Sequence, residues 1–214
     1  TYAFPKISSD NVLIAAKDAG HPLLERSRLV TNDFRISEEE FHIITGANMA
    51  GKSTFLRTVS LLIVTANLGL PVCASGMVYK PVRLITSMRT ADSLSRHESY
   101  FFSELKRLKF IVDEIGEEPY FIILDEILKG TNSTDKAQGS RKFLERLLTS
   151  LSAGLIATHD LSLCDAADAN KQVSNYYFDA NIVAGELYFD YQLKPGIWQN
   201  MDASCLLKKM KIVE

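Results

Sequence analysis

From Gly46 to Ser53 the chain reads G-x-x-x-x-G-K-S, inside the stretch IITGANMAGKSTFLR that runs from Ile43 to Arg57. Two glycines, one cation and a hydroxyl at this spacing suit a loop whose backbone N–H groups wrap phosphates. Gly51 lets the backbone approach closely, Lys52 reaches the β- and γ-phosphates, and the Ser53 hydroxyl is placed to bind Mg²⁺. The positive end of the helix that follows faces the anion. The residues expected to hold a nucleoside triphosphate are therefore Gly46, Ala47, Asn48, Met49, Ala50, Gly51, Lys52, Ser53 and Thr54.

Two further apolar runs end in polar residues that can join this chemistry. PYFIILDE closes on Asp125 and Glu126, and LIATHD on Thr158 and His159. Asp125 is placed to hold Mg²⁺ directly or through water. Glu126, one residue on, can orient and partly deprotonate an attacking water. An acidic turn after a buried strand is the plainer account of such a pair. His159 can sense or hydrogen-bond a γ-phosphate, or simply cap or pack.

These residues must be carried by elements that converge. FHIIT, ahead of the loop, is a short apolar run rich in β-branched residues, as a buried parallel strand is. After it, Phe55, Val59, Leu62, Ile63 and Ala66 recur at helical spacing, and Gly69 with Pro71 stops the helix. ESYFFSELKRLKFIVDEIG places Phe101, Leu105, Leu108, Ile111, Val112 and Ile115 along one helix face, with Gly116 as its stop. TDKAQGSRKFLERLLTSLSAG reads as a helix with Gly154 after it. Residues 1–40 read as short strands and turns, and MVYKPVRLIT as one or two strands. QVSNYYFDANIVAGELYFDYQL reads as a hairpin turning near Ala184 and Gly185, and DASCLLKKMKI as a short amphipathic helix. The alternation predicts an α/β fold of the P-loop NTPase class. It has a mainly parallel sheet flanked by helices, with an added β-hairpin near the C-terminus. In such sheets ligands sit at the carboxyl ends of the strands.

A chain of 214 residues is long enough for one large α/β domain, and residues 1–214 are expected to form one. The net charge of −2 gives no global basic field of the kind that advertises nucleic-acid binding. Three widely spaced cysteines, Cys73, Cys164 and Cys205, form no metal-ligand pair and no disulfide framework, so a reducing, cytoplasmic setting is expected. The apolar stretch VSLLIVTANLGLPVCA is interrupted by Asn67, Gly69 and Pro71, and reads as a core helix rather than a membrane span. The chain begins TYAF without a methionine, which suggests a piece of a longer protein.

Taken together, TGANMAGKSTFLRTV, ESYFFSEL, LDEILKGTNSTDKAQG and ATHD resemble, in order and spacing, the ATPase domain of MutS-type DNA mismatch repair proteins, part of the wider ABC-type ATPase group. The resemblance runs from GHPLL at Gly20 to at least His159. It implies an Mg-dependent ATPase that packs face to face with a second copy, and DNA contact through domains elsewhere in the chain. It also implies Asn48 near the γ-phosphate, Lys52 and Ser53 on phosphates and Mg²⁺, and Asp125 in the metal shell. Glu126 would be the catalytic base and His159 the switch histidine, with Lys52 the catalytic cation. Ser99 matches the signature serine that reaches the partner's γ-phosphate, although a serine near a helix start is also a common N-cap. Ser133 to Asp135 would fall in the loop lining the dimer seam, and an aromatic that stacks on adenine aligns with Leu29. Ala47 and Ala50 stand where family members usually carry proline and glycine, and RHESYF departs from their SGRSTF. An LSGGQ-like transporter signature is absent. A slow ATP-gated dimerisation switch outside mismatch repair is the other reading.

Overall fold

The computed structural model describes residues 1–88, 100–116, 118–128, 132–183 and 186–199. The strands and helices, in chain order, are β1 (Lys6–Ile7), β2 (Val12–Ala19), β3 (Asn32–Ser37), β4 (Phe41–Gly46), α1 (Lys52–Asn67), β5 (Gly76–Tyr79), β6 (Arg83–Ser87), α2 (Tyr100–Glu114), β7 (Tyr120–Asp125), α3 (Ser133–Leu148), β8 (Ala153–Ala157), α4 (Ala166–Ala169), β9 (Val173–Phe178), β10 (Asn181–Val183), β11 (Glu186–Tyr188) and β12 (Leu193–Pro195). The amphipathic helix expected at residues 202–212 lies outside the described residues.

A central sheet runs in the order β12-β9-β4-β8-β7-β6. Its strands are parallel except for β12, which pairs antiparallel with β9 at the edge. Every residue of β4, β7 and β8 is buried, as expected of strands covered on both faces. Alternation divides their side chains between two cores. Phe41, Ile43, Ile122, Leu124 and Ile156 pack with Leu108 and Ile111 of α2, Ile115 just beyond it, and Leu144 and Leu147 of α3. Ile44, Phe121, Ile123 and Leu155 pack on the other side with Phe55, Leu56, Val59, Leu62 and Ile63 of α1. Each of these large side chains contributes roughly 1.5–3 kcal/mol on full burial, so the face of α1 that carries them is fixed firmly.

The spacing along α1 matches its buried face, and α1 ends at Asn67 with Gly69 at φ 70° just beyond it. The stripe expected along α2 is only partly core. Leu108, Ile111 and Ile115 are buried, but Leu105 is 39% exposed, because the sheet covers just the inner part of that face.

The first 40 residues join β5 in a separate four-stranded sheet of order β1-β5-β2-β3, in which β2 pairs antiparallel with both β3 and β5. Ile14 and Ile36 of this sheet are fully buried in the α1 core. Asn32 ties it to the C-terminal segment: its Nδ2 donates to Tyr191 O at 3.0 Å, and its Oδ1 accepts from Leu193 N at 2.7 Å.

Two expectations need correcting. The helix does not run on to Gly154; α3 ends at Leu148, and Gly154 lies inside β8. A Cβ there would sit 2.1 Å from the Ile122 carbonyl oxygen, so the close approach of β7 and β8 requires glycine. The hairpin over residues 172–193 is smaller than expected. Residues 173–178 instead form β9, which runs parallel to β4 in the central sheet, and only β10 and β11 make the hairpin. Among the described residues no helix is long and apolar enough to cross a membrane. Cys73 and Cys164 are buried free thiols, and burial, reinforced by Asp165 and Asp160, pushes Cys164 up to about 11.

Candidate active site

The register of the central sheet sets Ile44 of β4 and Asp125 of β7 on either side of Ala157 in β8. The residues that follow these three positions therefore leave the sheet at the same edge. The Thr158 N–H donates to Ile44 O at 3.0 Å, and the Glu126 N–H donates to Ala157 O at 2.9 Å, which fixes the three exits relative to one another.

The loop between β4 and α1 begins at Gly46, at φ 138°. A side chain here is excluded: a Cβ would lie 2.3 Å from the Phe178 carbonyl oxygen of β9. Asn48, Met49 and Thr54 are exposed along the loop and first helical turn, while Ala50 is buried at its base. Met49 takes φ 66°, and Gly51, at φ 111°, is the N-cap of α1. Lys52 is buried in spite of its charge. Its Nζ donates to Gly46 O at 2.7 Å and Ala47 O at 2.8 Å, so the loop curls around its own cation.

The Ser53 hydroxyl donates to Asp125 Oδ2 at 2.7 Å, joining the start of α1 to the end of β7. His159 Nε2 lies 2.8 Å from Glu126 Oε1, and 3.5 Å from Lys52 Nζ. With Glu126 ionised, the proton is assigned to Nε2, which donates to the carboxylate. Nε2 then has no lone pair for Lys52, and the 3.5 Å approach is a contact rather than a hydrogen bond. Glu126 at φ 55° and Leu128 at φ 57° are non-glycine residues in the left-handed region, each costing about 1–3 kcal/mol.

A cleft of about 1080 Å³ opens over this arrangement. Asn48, Lys52, Ser53 and Glu126 line it, together with Leu29 and three aromatic residues of the C-terminal segment, Tyr188, Phe189 and Tyr191. The size suits a ligand of several hundred cubic ångströms.

The structure thus brings together Gly46, Lys52, Ser53, Asp125, Glu126 and His159, all singled out in the sequence. Ser99 lies outside the described residues. Ser133 to Asp135 are exposed but form the first turn of α3 rather than a loop, because Asn132 Oδ1 caps the helix by accepting from Asp135 N at 2.9 Å. The sequence reading missed the contributions of Tyr191 and Asn32 to the cleft; no local motif marks either one. Nor did it flag Glu104 of α2, whose Oε1 accepts from Leu128 N.

Residues 42–205 match the family model described as MutS domain V. Among curated proteins, the chain is 32% identical over 200 residues to the DNA mismatch repair protein MSH4 of Arabidopsis thaliana, covering 91% of this chain and 25% of that protein. It is 33% identical over 204 residues to the DNA mismatch repair protein MutS of Pelotomaculum thermopropionicum, covering 91% and 23%. It is 29% identical over 195 residues to the human MutS protein homolog 4, covering 86% and 21%. The chain spans about a quarter of the length of these relatives. A domain V match over most of the described residues, on a mixed α/β fold, places this chain in the MutS family.

Proposed function

We propose that residues 1–214 act as one Mg-dependent ATPase domain of a MutS-like protein, a P-loop NTPase of the ABC-type group. The observation that carries this reading is the convergence of Lys52, Ser53, Asp125, Glu126 and His159 at one sheet edge, under a cleft of about 1080 Å³. ATP is the substrate, with its phosphates along residues 46–54. The Lys52 ammonium, which rests on two loop carbonyls, exchanges them for the β- and γ-phosphates. Glu126 accepts the proton of the attacking water, and His159 holds its carboxylate in place.

Ser53 and Asp125 offer hard oxygen donors suited to Mg²⁺. Among the described residues no group of three or more His, Cys, Asp or Glu could hold a metal, which fits an ion completed by phosphate oxygens and water. When bound, Mg²⁺ supplies neutralisation of charge on the phosphoryl group. Two copies of the domain close face to face, with Ser99 of one reaching the other's phosphates. Domains elsewhere in a longer, cytoplasmic protein contact DNA, in mismatch repair or related DNA processing.

The test is Lys52→Ala. Affinity for ATP with Mg²⁺ present, measured by calorimetry, should fall at least about tenfold, roughly 1.4 kcal/mol. Unchanged affinity in a folded variant would remove the phosphate-loop assignment. A second reading is a slow-turnover switch in which ATP chiefly holds two copies together. A product burst followed by a slow steady state favours the switch; a linear time course favours the engine.

A further inference from the structure

We propose that Glu104 is a positioning residue for Glu126, acting through the backbone of Leu128. This inference rests on the reading of Glu126 as the base. Glu104 sits near the start of α2, and its Oε1 accepts a hydrogen bond from the Leu128 N–H at 2.6 Å. The donor belongs to a segment in which Glu126 and Leu128 both take left-handed backbone angles, with φ 55° and 57°. Such conformations persist only where the surroundings fix them.

Among the described residues, contacts at three points bear on the backbone of the segment. At its start, the Glu126 N–H donates to Ala157 O of β8. In its middle, Ile127 and Leu128 are buried with α2 and α3. At its far end, the Leu128 N–H meets the Glu104 carboxylate. The first contact comes from the sheet and cannot by itself set the direction of the chain beyond Glu126. The last comes from α2 and is charge-assisted, the stronger class of hydrogen bond. It therefore fixes the left-handed turn from which the Glu126 side chain projects toward His159, 2.8 Å away. A base displaced by about 1 Å can lose on the order of a hundredfold in rate, so this one bond has leverage on the chemistry.

The test uses the full-length protein carrying Glu104→Ala, Glu104→Gln and the combination of each with Glu126→Gln. Glu104→Ala should lower kcat for Mg-ATP hydrolysis by about ten- to a hundredfold, with nucleotide affinity held within about twofold. Glu104→Gln, whose amide oxygen still accepts the Leu128 N–H, should recover most of that rate. In the Glu126→Gln background, Glu104→Ala should cost nothing further, because the group it positions is already gone. Wild-type kcat in Glu104→Ala, or an equal loss in the Glu126→Gln background, overturns the proposal.

Hydrogen exchange of the Leu128 amide gives a readout apart from activity. It should quicken in Glu104→Ala and stay protected in Glu104→Gln. Should the alanine variant fail to fold, lost Leu128 protection in Glu104→Gln with unchanged kcat also overturns the proposal. A wild type without Mg-ATPase activity would refute the ATPase reading itself. An active wild type with a fully active Glu104→Ala would refute the positioning role alone.

Discussion

His42 should make β4, the strand that leads into the loop at residues 46–53, sensitive to acid. It lies in β4, 3% exposed, with its ring 5.9 Å from Phe34 and 4.7 Å from Tyr176. Burial drives its pKa down from the ordinary 6.5 to about 4, and Glu40, 3.8 Å away, pulls it back only in part. The folded chain thus resists the proton that the unfolded chain accepts. Stability is fully present above pH 6.5 and is lost as the pH falls toward about 4. Going from about pH 7.5 to about pH 5 should cost about 2 kcal/mol from this residue alone. Urea unfolding at several pH values, for the wild type and for His42→Phe, measures it. The phenyl ring keeps the aromatic contacts and removes the titration, so the two stability curves should diverge by about that amount as the pH falls. Parallel curves would refute the argument, as would a wild type that gains stability on acidification.

Gly154→Ala should separate β7 from β8, because its Cβ would meet the Ile122 carbonyl oxygen at 2.1 Å. We expect a loss of about 3 kcal/mol or more in denaturant unfolding, and a loss under about 1 kcal/mol would contradict that strand spacing. Mixing Lys52→Ala with Ser99→Ala tests the composite site. Each variant alone should be nearly inactive, but with equal mixing about half the dimers are mixed and each of these carries one intact site of two, so activity should return to about a quarter of wild type. Full activity of Ser99→Ala alone at saturating protein would rule out its reach across the dimer.

The loop and α1 were legible because their information is local. Glycine spacing, one lysine and a helical stripe lie within 24 consecutive residues, Ile43 to Ala66. Likewise β4, β7 and β8 declared themselves by mostly apolar runs, and the polar residues at their ends met as parallel strands require. The four-stranded sheet was not legible, since β5 joins β2 through pairings such as Ile14 with Tyr79, far apart in the chain. β9 was misread for a related reason. Only its end residues, Val173 and Phe178, are buried and the four between are half-buried and partly polar, so its sequence lacks the apolar run of a central strand although it lies parallel to β4. Gly154 reads as the residue after a helix because glycine commonly stands there, and nothing local tells that position from a close strand approach. Glu104 looked like any charge on a helix surface, for its partner Leu128 lies 24 residues onward.

The decisive measurement is Mg-ATP turnover by Glu126→Gln set beside its nucleotide affinity. The amide keeps the size of the carboxylate and can still accept a hydrogen bond from His159, but it cannot take the proton of a water. Affinity should be unchanged while kcat falls by about 10²–10⁴, with ATP-bound dimers accumulating. Normal hydrolysis by this variant would contradict the account, for the water would then be activated by some other group.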